Sequence, residues 1–325
     1  MHGFILFKRS VTCIVGAGKR WFALNLGGVL GLIGNTPIVE LKKIKPENNC
    51  RLFVKLEYFN PTGSHKDRIA LYMVKDAMER HRLKKGDVVV EASSGNTAIS
   101  VAFVAIRFGL TPVIVVPKNT SRGKVLLLKL MGAEVTEGDE DPASPSYYIK
   151  LAERIAKERG GVFLNQYANT ANAKAHYETT AVEIWNQLKG SIDALVMGVG
   201  TGGTISGVGR FLKEKKKEVL VVAVTPKGSK LAGGRGLDRI EGLLHKDIPP
   251  LLDLSMVDRV IEVSYSEAVD MCIKLAREEG ILGGVSSGAN IVGALRISKE
   301  LKPGSTIVTL IVDSIFRYLD TLVKD

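Results

Sequence analysis

The segment Val88–Val116, VVVEASSGNTAISVAFVAIRFGLTPVIVV, joins two apolar runs through a polar turn and a longer amphipathic stretch. The runs Val88–Ala92 and Pro112–Val116 are rich in β-branched residues, which favour buried strands. Between them, residues 96–108 have the apolar spacing of a helix. Strand, helix and strand in this order predict two parallel strands with the helix packed on their sheet.

The same alternation continues along the chain from Gly34 and predicts an α/β fold. It contains more strand–helix units than one compact domain holds, so we expect two domains, each with a doubly wound, mostly parallel sheet. The polar stretch Asn165–Asn172 is the predicted crossover between them. We therefore divide the chain into an extension at 1–33, a smaller N-terminal α/β domain at 34–170 and a larger C-terminal α/β domain at 171–325. The predicted strands are Arg51–Glu57, Val88–Ala92, Pro112–Val116, Val162–Leu164, Ala194–Val199, Val219–Val224 and Thr306–Ile311. The predicted helices are 66–82, 96–108, 121–131, 145–159, 174–188, 204–216 and 266–279.

Composition excludes several classes of protein. Hydrophobic residues make up 45% and charged residues 24% of the 325 residues, which excludes a disordered or fibrous chain. No run approaches the roughly 18 uncharged apolar residues of a membrane span, so we expect no membrane partner. The charge is +11, but the basic residues spread along predicted helical faces, as in Lys213–Lys217, without a nucleic-acid-binding motif. We interpret them as solvated faces and predict no nucleic-acid partner, whereas an anionic substrate or cofactor stays compatible.

The three cysteines, Cys13, Cys50 and Cys272, are far apart and form no CxxC pair. This spacing argues against a zinc site and a disulfide framework, and it is typical of a reducing compartment. Charged residues interrupt the apolar stretches Phe4–Phe7 and Val11–Gly18, unlike the core of a secretory signal. We therefore predict a cytoplasmic protein without a metal site.

Four polar loops follow apolar stretches, where open α/β sheets bind their ligands. The first, Asn60–Arg68, leads into a helix and places Lys66 in its first turn. The helix dipole lowers the pKa of an amine at this end, which makes Lys66 a candidate nucleophile. The alternative interpretation is an ordinary surface charge.

The second loop, Glu91–Ala98, presents hydroxyl and amide groups at the start of a helix. Such a helix start binds a carboxylate or a phosphate. A helix cap without a ligand is the alternative. The side chains concerned are Ser93, Ser94, Asn96 and Thr97.

The third loop, Gly198–Gly207, has five glycines in ten residues and a formal GxGxxG pattern. A dinucleotide site would place an acidic residue after the following strand, whereas here Glu218 precedes that strand and Thr225 lies at its end. Thr201 and Thr204 among the glycines instead favour a single phosphate monoester, held by backbone N–H groups and two hydroxyls. A tight turn without a ligand is the alternative.

The fourth loop, Gly283–Ala289, again precedes a helix that Ser286 and Ser287 would cap if the loop stood alone. Together the four loops supply a lysine, an anion-binding turn, a phosphate loop and a second serine turn. This combination is typical of an enzyme that uses pyridoxal phosphate.

From about Gly34 to Leu319 the chain resembles the cysteine synthase and cystathionine β-synthase family of fold-type-II pyridoxal phosphate enzymes. The order and spacing of six pieces carry the resemblance. These are Gly34–Pro37, Pro61–Arg68, Ser93–Thr97, Gln166, Gly200–Thr204 and Ser286–Gly288. The resemblance implies a tryptophan synthase β-like fold with the cofactor in the cleft between the domains, part of 34–60 packed with the C-terminal domain, and a homodimer.

The resemblance also implies a role for each matching residue. Lys66 would be the Schiff-base lysine and the base that removes the α-proton. Asn96 would hydrogen-bond the 3′-oxygen of the cofactor, and Ser286 would face its pyridine nitrogen. The implied phosphate ligands are Gly200, Thr201, Gly202, Gly203 and Thr204. The implied cradle for the substrate carboxylate is Ser93, Ser94, Thr97 and Gln166.

The reaction implied is β-replacement, which makes L-cysteine from an activated serine (O-acetylserine or O-phosphoserine) and sulfide. Cystathionine β-synthase chemistry, with homocysteine as the nucleophile, is the first alternative, and a serine/threonine dehydratase is more remote. A catalytically silent binding protein of this fold would be expected to lack Lys66 or the phosphate loop, and the chain has both. A nicotinamide oxidoreductase is supported only by the formal GxGxxG pattern.

Two segments depart from the pattern of the family. In 241–250, where acetylserine-using relatives carry a Gly-Ile-Gly-Ala-Gly-like run, only Gly242 matches. In Asp313–Tyr318, relatives tend to have Gly-Glu after the serine. Cations near the first segment suggest phosphoserine as the donor, with ordinary surface charges as the alternative. They are found in Pro226–Lys230 and at Arg235, Arg239 and Lys246.

Overall fold

The computed structural model describes residues 27–236, 238–243 and 247–319. The expectations for Phe4–Phe7, Val11–Gly18, Cys13 and Lys246 lie outside the described residues. A short 3-10 helix, Gly28–Leu32, precedes the first strand.

Strands and helices alternate along most of the described chain. The strands are β1 (Ile38–Glu40), β2 (Arg51–Leu56), β3 (Val88–Ala92), β4 (Thr111–Pro117), β5 (Glu134–Gly138), β6 (Val162–Phe163), β7 (Ala194–Gly198), β8 (Leu220–Pro226), β9 (Arg259–Val263) and β10 (Thr306–Ile311). The α-helices are α1 (Lys66–His81), α2 (Asn96–Arg107), α3 (Arg122–Leu130), α4 (Tyr148–Glu158), α5 (Thr170–Ala175), α6 (Ala181–Gln187), α7 (Gly203–Lys215), α8 (Tyr265–Lys274) and α9 (Val285–Ser298). Two π segments, His176–Thr180 and Leu275–Glu279, follow α5 and α8.

The strands form two sheets. One has four parallel strands in the order β5-β4-β3-β6. The other has six strands in the order β1-β2-β10-β7-β8-β9, parallel except for the antiparallel pair β1–β2. The predicted α/β class, with two domains built on mostly parallel sheets, is confirmed. Strands β1 and β2, which lie within 34–60, belong to the six-stranded sheet.

Successive side chains of a strand point to opposite faces of its sheet, and most of them are buried here. Each sheet is therefore covered by helices on both faces. In the six-stranded sheet, Val196 packs in a cluster with Ala289 of α9, whereas Met197 packs in another with Leu212 of α7. The four-stranded sheet shows the same division between the helices α1 and α2 on one face and α4 on the other. The apolar strands are therefore the centre of two cores.

The seven predicted strands are present, with ends shifted by at most two residues. The predicted helix 174–188 is divided by the π segment, and the helix predicted from 145 begins at Tyr148. Three strands were not predicted: β1, β5 and β9 are edge strands, and none has the continuous apolar run of a central strand. None of the helices in the described part of the chain has the length and apolar character needed to cross a membrane.

Candidate active site

The predicted loops lie where strands of the two sheets end. Loop Ser93–Thr97 follows β3 of the four-stranded sheet, and the glycine loop follows β7 of the six-stranded sheet. The segment after β10 touches the other two loops, since the backbone N–H of His65 donates to Val312 and that of Gly284 donates to Asp313. Both sheets therefore contribute to one site.

Lys66 is the first residue of α1, and its Nζ lies 2.6 Å from Nε2 of His65. Burial lowers the pKa of the Lys66 amine from 10.5 to about 8. The sequence indicated the helix dipole as the cause of a lowered pKa, whereas the structure shows loss of solvation as the main cause. An appreciable fraction of this amine is neutral near physiological pH and able to act as a nucleophile or base.

Two buried histidines connect Lys66 with the glycine loop. The rings of His65 and His176 are 5.7 Å apart between centroids. Nε2 of His176 lies 3.1 Å from the hydroxyl of Thr204, and its Nδ1 lies 3.0 Å from that of Thr180. Burial lowers the pKa of His176 to about 3, so this ring is neutral at physiological pH. Sequence reasoning missed His176, because a single histidine within a helix carries no pattern.

The glycine loop between β7 and α7 has no room for side chains at Gly200, Gly202 and Gly203. A Cβ on Gly200 would overlap the carbonyl oxygen of Gly242, and one on Gly203 would overlap Oδ1 of Asn172. Thr201 and Thr204 are buried in the same loop, and α7 begins at Gly203. Gly202 lies between them, so the predicted phosphate ligands form one continuous turn at a helix N-terminus, which favours an anion.

Hydrogen bonds connect the serine loop with the glycine loop. The hydroxyl of Thr97 donates to Oε1 of Gln166 at 2.6 Å. Nδ2 of Asn172 donates both to the carbonyl of Gln166, at 2.8 Å, and to the hydroxyl of Thr201, at 3.0 Å. Asn172 is thus a second residue that sequence reasoning missed, although the predicted crossover segment contained it.

The other predicted cradle residues lie in the same loop. Ser93 is buried and accepts a hydrogen bond from the N–H of Gly95 at 3.1 Å, and Ser94 is half-buried beside it. Below the loop, the carboxyl of Glu91 is buried and accepts from the N–H of Ala92 at 3.0 Å. Burial raises the pKa of Glu91 to about 8, so it is mostly protonated at neutral pH.

Asn96 and Asp313 connect the two sheets. Nδ2 of Asn96, at the start of α2, donates to Oδ2 of Asp313 at 2.6 Å. The hydroxyl of Tyr318 donates to the same oxygen at 2.6 Å. The sequence marked Asp313–Tyr318 as a departure from the family pattern without giving it a role.

Ser286 is buried in the first turn of α9. A Cβ on Gly242 would lie 3.9 Å from its hydroxyl, so the segment that contacts the glycine loop also lies near Ser286. Next to it, Glu241 pairs with Lys124 of α3 at 2.6 Å. Arg235 and Arg239 are exposed.

These residues fit pyridoxal phosphate. The glycine turn at the start of α7 presents backbone N–H groups beside the hydroxyls of Thr201 and Thr204, which suits a phosphate. Lys66 offers an amine of lowered pKa, which suits an aldehyde. Among the described residues, the buried Oδ1 atoms of Asn172 and Asp313 have no hydrogen-bond partner and pack against Gly203 and Gly284.

Comparison with known proteins agrees with this fit. A family model described as "Pyridoxal-phosphate dependent enzyme" matches residues 29–313. A cysteine synthase of Staphylococcus aureus is 42% identical over 295 residues, which cover 89% of this chain and 94% of that protein. A crystal structure of an O-ureido-L-serine synthase superposes with a TM-score of 0.86 at 37% identity, covering 91% of this chain and 94% of the other.

A cystathionine β-synthase of Dictyostelium discoideum is also similar, with 40% identity over 311 residues. The match covers 93% of this chain but 62% of that longer protein. The chain thus spans about three fifths of the length of this relative.

Proposed function

The chain belongs to the family of pyridoxal-phosphate dependent enzymes, and from this premise we propose that it makes L-cysteine from an activated serine and sulfide. The observation that carries the proposal is the connected set Lys66, His65, His176 and Thr204, which supports one site for the amine of Lys66 and the glycine loop. The similarity to a cysteine synthase over most of both chains supports the choice of reaction.

We assign the cofactor contacts to residues of this chain. Lys66 attaches the cofactor through its amine, the turn Gly200–Thr204 holds the phosphate, and Asn96 and Ser286 contact the ring. When bound, the cofactor supplies a sink for the electron pair left at the α-carbon of the donor. The Nζ of Lys66, with a pKa of about 8, takes and returns the α-proton.

The cradle of Ser93, Ser94, Thr97 and Gln166 would hold the carboxylate of the amino acid donor. Hydroxyl, amide and backbone N–H groups at the start of α2 suit a carboxylate. The Thr97–Gln166 hydrogen bond keeps this cradle in a fixed shape before the donor arrives.

A cystathionine β-synthase-type reaction is the second candidate. The similarity to the Dictyostelium protein favours it, and so does the loss of the acetylserine-type run in 241–250. The phosphoserine hypothesis stays a prediction for the donor, with Arg235 and Arg239 available at the surface.

We also propose a homodimer with a domain division near residue 170. Strands β3–β6 lie within 34–170 and form their own sheet, which supports the division. Apolar side chains of α3 and of the segment after β10 are exposed in the single chain, and a second copy of the chain would cover them. Leu130 is 85% and Phe316 67% exposed. A cytoplasmic location fits the two buried free thiols, Cys50 and Cys272.

The test uses purified full-length chain supplied with pyridoxal phosphate. We expect a visible cofactor absorption, a pyridoxyl adduct at Lys66 after borohydride reduction, and cysteine formation from sulfide. Lys66→Ala is expected to form no adduct, and its kcat is expected to fall by about 10³-fold or more. Lys75→Ala, on the same helix, is the matched control and keeps both.

Donor and nucleophile are then varied separately. O-acetylserine, O-phosphoserine and serine are each supplied with sulfide or with homocysteine, and the product is identified by mass spectrometry. Cystathionine formed in preference to cysteine would replace the first candidate by the second. A colourless protein without an adduct at Lys66 would overturn both.

A further inference from the structure

We propose that Asp313 is a positioning residue of this site, whose carboxylate holds the amide of Asn96, so that this amide presents a fixed arrangement to the cofactor. The inference rests on the proposed function and adds a residue that neither the sequence pattern nor the implied roles included.

The first support is the contact geometry of Asp313. Its side chain is 1% exposed, and Oδ2 accepts from Nδ2 of Asn96 and from the hydroxyl of Tyr318, each at 2.6 Å. The other oxygen, Oδ1, has no hydrogen-bond partner among the described residues. Oδ1 packs against the backbone of Gly284, so the hydrogen-bonding of this buried carboxylate is concentrated on Oδ2 and on Asn96 and Tyr318.

The second support is what a carboxylate does to an amide. An asparagine side chain has one end that donates and one that accepts, and either end can point in a given direction. Oδ2 of Asp313 accepts from both Asn96 and Tyr318, so Asp313 fixes the NH2 of Asn96 on its own side. One N–H of that NH2 is used in the contact, and the other is left to donate to a ligand oxygen.

The third support is the position of Asp313 between elements of both sheets. It follows β10 of the six-stranded sheet, whereas Asn96 begins the helix that follows β3 of the four-stranded sheet. Its backbone also bridges to Ser64 and accepts from the N–H of Gly284. Asp313 therefore connects the lysine loop, the serine loop and the start of α9.

The fourth support is electrostatic. The charge of Asp313 raises the pKa of Lys66, against the larger lowering by burial. Apart from Lys66, Asp313 is faced by Asn96 and Tyr318, which donate to it, by Arg317, which lowers its pKa, and by Glu241, which raises it, while burial raises it most. The charge of Asp313 also raises the pKa of the Cys272 thiol. Removing the charge at 313 is therefore expected to lower the pKa of Lys66 further.

The alternative role for Asp313 is an anchor for the C-terminal segment through Tyr318. Tyr318→Phe removes that hydrogen bond and keeps the contact with Asn96. Asp313→Asn keeps a side chain of the same size and removes the charge that fixes the amide of Asn96. Asp76→Asn, on the exposed side of α1, is the control for loss of one carboxylate.

Two properties are measured on the full chain, neither of which is turnover. One is the dissociation constant of pyridoxal phosphate. The other is the pH midpoint for borohydride-fixed adduct at Lys66. We expect Asp313→Asn to weaken cofactor binding about tenfold and to move the midpoint to lower pH, because a charged hydrogen bond and a nearby anion are lost. Tyr318→Phe and Asp76→Asn are expected to stay within about twofold of the parent protein.

If Asp313→Asn has the same dissociation constant and pH midpoint as the parent protein, the proposal is overturned. If Asp313→Asn and Tyr318→Phe change these two properties equally, Asp313 is an anchor for the C-terminal segment and the proposal is also overturned. If Asp313→Asn does not fold, Asn96→Ser tests the same contact, and unchanged cofactor binding in that variant overturns the proposal. Absence of any adduct at Lys66 in the parent protein is a different result, which overturns the proposed function itself.

Discussion

Lys66 and Arg68 lie two residues apart on α1, yet their surroundings differ completely. The guanidinium of Arg68 is buried between two carboxylates, with Nε 2.7 Å from Glu57 and Nη1 2.6 Å from Glu183. These ion pairs raise the pKa of Arg68 above its ordinary value despite burial. Lys66 has a neutral histidine as its nearest partner, and burial lowers its pKa to about 8.

The difference shows how one helix supplies both a fixed support and a reactive group. A buried cation with matched anions stays charged and holds its element in place. A buried cation without a carboxylate in contact loses its proton readily and becomes available for chemistry. The Arg68 cluster, comprising Lys55, Glu57, Arg68 and Glu183, therefore fixes the helix on which Lys66 acts.

The strongest way to break this comparison is Arg68→Met. Removal of Arg68 leaves Glu57 fully buried and Glu183 mostly buried, with Lys55 as the remaining nearby cation. We expect a loss of about 3–5 kcal/mol in the free energy of unfolding, measured by urea denaturation of the cofactor-free protein at pH 7. Arg68→Lys, which keeps the charge, should lose less. A loss below about 1 kcal/mol for Arg68→Met would show that the cluster does not support the helix.

Lys66→Met is expected to raise the free energy of unfolding, whereas Arg68→Met lowers it. The amine has a pKa of about 8 in the folded protein and 10.5 as an ordinary lysine, so the unfolded state binds more protons between these values. Stability of the parent protein should therefore rise from pH 8 towards 10.5, and the methionine variant should lack this rise. At pH 7 we expect the cofactor-free variant to be more stable by about 1–2 kcal/mol, with a smaller difference at pH 9.5. Urea unfolding at both pH values measures this, and a gap that widens with pH contradicts the assignment.

The smallest effect is expected at Arg80→Ala, farther along the same helix. Arg80 pairs with Asp76 at 2.8 Å on the exposed side, where water screens the charges. The change in the free energy of unfolding should be about 0.5 kcal/mol or less, and it should shrink further in 1 M salt. A larger loss, comparable with that of Arg68→Met, would remove the distinction between buried and exposed pairs.

The central strands and the four loops could be predicted from the sequence, because buried parallel strands are continuous apolar runs and turns at helix starts have few solutions. The edge strands could not, since an edge strand such as β9, Arg-Val-Ile-Glu-Val, faces solvent along much of its length. Its pairing with β8 is decided by the tertiary structure rather than by its own composition.

For the candidate site, loop chemistry pointed to Lys66 and the glycine turn, but not to the residues that connect the loops. His176 and Asp313 are single polar residues, and only the fold shows that one lies beside Thr204 and the other beside Asn96. Long-range partners of this kind are set by strand order, which a local pattern does not contain.

The π segment His176–Thr180 allows the continuous helical stretch from α5 to α6 to contact two separate parts of the molecule. A π turn holds an extra residue, so the helix beyond it is rotated by about 100° relative to an uninterrupted α-helix. Asn172 and His176, before and at the start of the insertion, contact the glycine loop, whereas Glu183 beyond it reaches Arg68. Eleven positions separate Asn172 from Glu183, which is just over three turns of a regular helix and would place both residues on the same face. Wound as a regular α-helix over the same residues, this stretch would bring the carboxylate of Glu183 to the face that carries Asn172, away from Arg68 and towards the turn that we propose binds phosphate, where it would repel an anion.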